Sequence, residues 1–114
     1  MKEIKAYVRP DRLASIVSRL EQEGARDLTV TRVDAIGALA DTEKDRLRLF
    51  RNYSEKYSDI AKIEIICADA EVNRFVGVLR EASYTGERGD GRIFVVNVER
   101  AINIRTGDEG QKAL

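Results

Sequence analysis

Hydrophobic and polar positions alternate with a period of two from Glu3 to Arg9, where Ile4, Ala6 and Val8 stand against Lys5 and Tyr7. Such alternation predicts a half-buried strand, and Pro10 ends it. The period then changes: Leu13, Ile16, Val17 and Leu20 recur at three and four residues, one face of a helix, with Asp11 as a candidate N-cap and Gly24 at the C-terminal stop. A second strand is predicted over roughly Leu28 to Ala35, carrying Leu28, Val30 and Val33, with Ile36 and Gly37 at its end. Lys62 to Ala68, rich in β-branched residues, predicts a third. Val72, Phe75, Val76 and Leu79 fall on one helical face and lead into the turn from Thr85 to Gly91, after which Arg92 to Val98 predicts a fourth strand. Ala101 to Thr106 offers a short final strand.

The resulting order, β-α-β-β-α-β, is that of an α+β fold of the split βαβ or ferredoxin-like kind: a four-stranded antiparallel sheet with two helices on one face. A chain of 114 residues supports one core, so residues 1–114 are expected to form a single domain. The sheet face opposite the helices is left bare with Ile, Val and Phe available to it, and self-association is the simplest way to cover it. Between the second and third strands lies the stretch Ala38 to Asp59, far longer than a hairpin needs. Loops of that length are commonly functional. Leu49, Phe50, Tyr53 and Tyr57 can line one side of an amphipathic helix there, which points to docking on a partner; the plainer alternative is a solvated loop with incidental aromatics.

Charge narrows the classes. Lys and Arg total 20, as do Asp and Glu, so the field expected of a nucleic-acid or anionic-membrane binder is missing. The single cysteine, Cys67, has no intramolecular disulfide partner, and its place among Ile65, Ile66 and Ala68 reads as a small buried hydrophobe. With no leader-like N-terminus and no apolar run of about 20 residues, a cytoplasmic protein without membrane insertion is expected. Histidine is absent, which removes the usual zinc and Ser-His chemistry, and no metal site is predicted.

The chemically informative segment is Thr85-Gly86-Glu87-Arg88-Gly89-Asp90-Gly91-Arg92. Three glycines leave backbone N–H groups unshielded, so a concave anion nest can form there, and Arg88 and Arg92 supply guanidinium forks that match phosphate oxygens. A glycine-rich turn can also be only a turn, and Asp90 can be only the residue that accepts its backbone hydrogen bonds. Near the C-terminus, Arg105-Thr106-Gly107 repeats the combination of arginine, hydroxyl and glycine.

Leu28-Thr29-Val30-Thr31, the run Tyr84 to Val95, and Ala101-Ile102-Asn103-Ile104-Arg105-Thr106-Gly107 together resemble the nitrogen-regulatory P-II signal-transduction family over essentially the whole chain. The middle segment is the specific one. The resemblance implies a homotrimer, with an adenine nucleotide (ADP, AMP or ATP) in each cleft between neighbours and a protruding loop that docks on a membrane transporter or metabolic enzyme. By the family pattern the Gly89 to Arg92 turn wraps the phosphates, Thr29 and Glu64 lie near adenine or ribose, Gly37 lies against the same nucleotide, and Arg105 approaches from the adjacent subunit.

Departures from that pattern carry their own expectations. Members that sense 2-oxoglutarate use a Gln near the start of the loop and a Lys near its end; the stretches here read Gly37-Ala38-Leu39-Ala40 and Ser58-Asp59-Ile60-Ala61-Lys62, with Ile60 at the Lys position. An aliphatic side chain does not pair with a carboxylate. Bicarbonate or another small anion is therefore a candidate second ligand. Ala38 and Asn103 stand where cations usually meet the phosphates, which favours competition by ADP or AMP, and Tyr53 and Tyr57 are both candidates for the family's modifiable tyrosine. The rival to a non-enzymatic sensor is a slow ATP or ADP hydrolase in which Asp90 or Glu64 orients water; no nucleophile-base pair stands out for it.

Overall fold

The computed structural model describes residues 1–36 and 58–114. Four strands and two helices follow one another as β1 (Lys2–Val8), α1 (Leu13–Gln22), β2 (Leu28–Ala35), β3 (Ser58–Cys67), α2 (Val72–Ser83) and β4 (Arg92–Asn97). The strands form one sheet in the order β2-β3-β1-β4 with every neighbouring pair antiparallel. This is the expected ferredoxin-like arrangement.

Side-chain alternation decides what the sheet hides. Ile4, Ala6 and Val8 of β1 and Ala61, Ile63, Ile65 and Cys67 of β3 share one face and pack with Ile16 and Leu20 of α1 and Phe75, Val78, Leu79 and Ala82 of α2 in the core. The register Ile4 opposite Ile65 and Val95 keeps those residues in step across three strands. Slipping any strand by one residue turns its apolar set to the other face, so burial itself holds the register. Each large side chain removed from water there contributes about 1.5–3 kcal/mol.

Helix ends are closed by chain and side-chain groups. The carbonyls that finish α1 accept N–H groups from Gly24 (to Glu21, 3.0 Å) and Ala25 (to Leu20, 2.9 Å), which satisfies acceptors that have no intrahelical donor. At the start of α1 the expectation of an Asp11 cap fails. Pro10–Arg12 form a 3-10 turn, and no side chain makes a capping hydrogen bond at either N-terminus. Proline pre-sets φ for that turn, so the chain enters the helix without help from Asp11.

Two other expectations are corrected. β3 begins at Ser58 rather than Lys62, its pairing with β2 running unbroken from Leu28–Ile65 to Ala35–Ser58; Ser58 and Asp59 thus belong to the strand and not to the long connection. The segment 101–106 is not a strand. A single bridge between Ile102 and Glu109 closes a turn in which Asn103 Oδ1 accepts the N–H groups of Arg105 (3.0 Å) and Thr106 (3.1 Å). A short amide side chain competing for backbone donors in this way replaces the ladder a strand needs.

Candidate functional site

The other sheet face carries the candidate site. Register places Thr29, Glu64, Lys5 and Phe94 in one row across the four strands and Thr31, Lys62, Tyr7 and Arg92 in the next. Thr29 and Glu64 are therefore direct neighbours on β2 and β3. Arg92 opens β4 at the far edge. Three inter-strand spacings, about 14 Å, separate the edges of such a sheet. Thr29 therefore lies across the whole sheet from Arg92, with Glu64 one strand in from Thr29.

The turn that leads into β4 is built around Asp90. Its carboxylate accepts the N–H groups of Thr85 (2.9 Å) and Gly86 (3.0 Å), the Thr85 hydroxyl, and Arg9 Nε (3.3 Å). Burial pushes the Asp90 carboxyl up, but the hydrogen bonds from the Thr85 hydroxyl, the two backbone N–H groups and Arg9 outweigh it and hold the group at about 2. All of these donors come from the turn itself or from Arg9. The Asp90 side chain is thus committed to the architecture of the turn, as its alternative reading had it, and does not stand free to orient a water. Glu64, the other carboxylate considered for that task, is ion-paired with Lys62 at 3.1 Å.

Gly89 and Gly91 have φ of 95° and 107°, a region that side chains rarely enter. At Gly91 space is also missing: a Cβ built there would lie 1.7 Å from the Tyr7 carbonyl oxygen. The turn packs directly on the backbone of β1. Arg88 and Arg92 are exposed, and neither has an ion-pair partner among the described residues. Two uncommitted cations and a glycine backbone therefore stand side by side. Behind them, a cavity of about 240 Å³ is lined by Tyr7, Val8, Arg80, Ser83, Tyr84, Asp90, Gly91, Arg92 and Ile93. Arg105 is exposed on the C-terminal turn.

Two arginines that hold this region were not singled out by the sequence. Arg9, only 5 % exposed, reaches Asp90 and also donates to the Arg88 carbonyl. Arg12 donates to the carbonyls of Ala82 (3.2 Å) and Tyr84 (3.4 Å) at the end of α2, where a cation suits the helix dipole. The available signal was their place on either side of Pro10-Asp11, a rigid corner from which two long side chains can reach in fixed directions. Gly37, Leu49, Phe50, Tyr53 and Tyr57 lie outside the described residues.

Near the other end of β3, Ile60 pairs with Val33 and is buried, and the unbroken register keeps Lys62 opposite Thr31 and Tyr7. Cys67 is buried too; burial and the acids Glu71 and Asp69 push its thiol up, the N-terminal ammonium acting against them. Among the described residues there is no cluster of three or more acidic or cysteine side chains suited to a metal ion, and no helix long and apolar enough to cross a membrane.

A family model described as Nitrogen regulatory protein P-II matches residues 1–108. The chain belongs to the P-II family. Similar P-II proteins include one from Bradyrhizobium diazoefficiens, 37% identical over the full length of both chains, and the nitrogen regulatory protein GlnK2 of Haloferax mediterranei, 36% identical over all of this chain and 91% of that one. Among solved structures, Arabidopsis thaliana PII bound to citrate superposes with a TM-score of 0.80 at 32% identity, covering 99% of this chain and 91% of that one. These relatives are regulatory proteins by name. The P-II chain described here is accordingly a signal-transduction regulator and not an enzyme.

Proposed function

We propose that this P-II protein is an adenine-nucleotide sensor that works as a homotrimer in the cytoplasm and controls a membrane transporter or metabolic enzyme through residues 38–59. One observation carries the reading: the Gly89–Arg92 turn, with Arg88 and Arg92 unpaired among the described residues, lies on the sheet edge opposite Thr29, whose neighbour Glu64 stands one strand in. Residues that belong together by family pattern but sit on opposite edges of one chain are united when the edges of two chains meet, which is what a cleft between neighbours provides. The bare sheet face supports the same assembly. Ile66, Phe94 and Val96 are 38 %, 45 % and 41 % exposed there, an apolar surface that a second copy would cover.

ADP, AMP and ATP are the proposed ligands, with Arg105 and the Gly89–Arg92 turn around the phosphates, Thr29 and Glu64 near adenine or ribose, and Gly37 against the same nucleotide. Ile60 has no charge to offer an oxoacid carboxylate, and Lys62 is already paired with Glu64, so 2-oxoglutarate is not the proposed second signal; bicarbonate is the candidate. A nucleotide at the root of the 38–59 segment then biases which arrangement of that segment meets its partner.

Calorimetric titration with AMP, ADP and ATP, each with and without 2-oxoglutarate or bicarbonate, tests this. Arg92→Ala and Arg105→Ala are each expected to weaken ATP binding by about 10-fold or more, the worth of a charge-assisted contact, while sedimentation still reports a trimer. Unchanged affinity in both variants would refute the assigned site.

A further inference from the structure

The anion turn contains an electrostatic conflict. Asp90 places a negative charge in the middle of a segment proposed to receive phosphate, and like charges at close range oppose binding. The backbone poses a second difficulty. A peptide group presents either its N–H or its C=O to a ligand, and the two point in opposite directions across a trans bond; no peptide bond described here is cis. A glycine-rich turn is free to present the wrong one.

Arg9 answers both. Its guanidinium is buried at 5 % exposure, with Nε 3.3 Å from Asp90 Oδ1 and a terminal nitrogen donating to the carbonyl of Arg88. Holding the Arg88 carbonyl inward turns the N–H of Gly89, the other end of the same peptide, away from Arg9 and toward the outside of the turn. The same cation faces the Asp90 carboxylate and offsets its charge. Arg9 is anchored in its turn by Pro10, and Arg12, two residues beyond Pro10, fixes the Ala82 and Tyr84 carbonyls at the start of the segment.

We infer that Arg9 is a positioning residue for anion binding, which orients the Arg88–Gly89 peptide with its N–H outward and cancels the charge of Asp90. The inference rests on the nucleotide reading of the site. It assigns Arg9 no contact with the ligand.

The test uses the full chain as Arg9→Gln and Arg9→Lys, titrated calorimetrically with AMP, ADP and ATP beside the unsubstituted protein. Arg9→Gln is expected to weaken ATP binding by about 10-fold or more, ADP less and AMP least, because an uncompensated Asp90 repels in proportion to ligand charge. Arg9→Lys restores the charge without the two-armed geometry, so it is expected to recover part of the loss and to remove most of the grading between nucleotides. Equal losses for AMP and ATP in Arg9→Gln, or a lysine variant no better than the glutamine one, would reduce Arg9 to a structural residue and overturn the inference. If circular dichroism finds Arg9→Gln unfolded, Arg9→Lys alone decides through the contact to the Arg88 carbonyl: weaker binding of all three nucleotides with an unchanged melting temperature supports the inference, and unchanged affinity overturns it. Absence of nucleotide binding in the unsubstituted chain overturns the nucleotide reading and this inference with it, whereas normal binding there with unchanged affinity in both variants overturns this inference alone.

Discussion

At the scale of single residues, Asp90 and Gly91 show how a sequence that reads as an anion site spends much of its chemistry on being a turn. The Asp90 carboxyl is held at about 2 in the folded chain, below its ordinary value of 3.8. A carboxylate lowered by folding stabilises the fold when ionised, so its contribution is present above about pH 4 and lost as the pH falls toward about 2. Asp90→Asn is expected to cost about 1–3 kcal/mol at pH 7, and urea unfolding of the two proteins should converge near pH 2. A gap that persists at low pH would mean that the charge of Asp90 is not what stabilises the turn. At Gly91 even a methyl group meets the Tyr7 carbonyl at 1.7 Å. Gly91→Ala is therefore expected to cost at least about 1–3 kcal/mol, the scale of local backbone strain, and to displace the turn from β1; an unchanged melting temperature with unchanged amide shifts in residues 85–92 would contradict this. The glycine and arginine content of the turn was legible in the sequence because composition alone announces a nest. The role of Arg9 was not, since its partners are about eighty positions away and nothing local marks which of the surface-type residues is buried.

Elements were legible to the degree that one face of each is dry. β1 and α1 announce themselves through Ile4, Ala6 and Val8 and through Ile16 and Leu20, all fully or almost fully buried, because strict burial imposes strict period. β3 was read too short. Its first residues, Ser58 to Ala61, lack the β-branched run of Ile63 to Ile66 and owe their conformation to pairing with β2, a long-range cause that no local window contains. The Asp11 cap was a reasonable local signal overridden by Pro10, and the final strand lost to Asn103, whose side chain takes the N–H groups of Arg105 and Thr106. In each case a specific hydrogen-bond competitor or a distant partner decided the outcome. The candidate site followed the same rule: the Gly89–Arg92 turn was found from sequence because it is contiguous, whereas the pairing of Thr29 with Glu64 emerges only once β2 and β3 are aligned.

For the whole molecule the bare sheet face is the dominant feature. Phe94 meets Tyr7 edge-on, ring centroids 5.9 Å apart at 86°, and with Ile66 and Val96 it interrupts the charged rows of Lys5, Glu3, Lys62 and Glu64. Under the proposed trimer, replacing Phe94 and Val96 together by lysine is expected to leave each chain folded, since neither side chain belongs to the core, while shifting sedimentation to monomer. A double variant that remains trimeric would move the subunit contact elsewhere. The bare face opposite the helices was legible in the sequence, but not which side chains stand on it, which depends on the parity of every strand.

The placement of Thr29 on one margin of the sheet and Arg92 on the other has a thermodynamic corollary. Under the proposed assembly a solitary chain holds two halves that do not mate with each other, and a complete receptor exists only where neighbours adjoin. Occupancy and association then become linked equilibria: ligand draws chains together, and dilution weakens apparent affinity even when every contact is intact. Such a protein responds to its own abundance as well as to its effector, and the steepness of that response is set by the margins of the sheet rather than by the pocket.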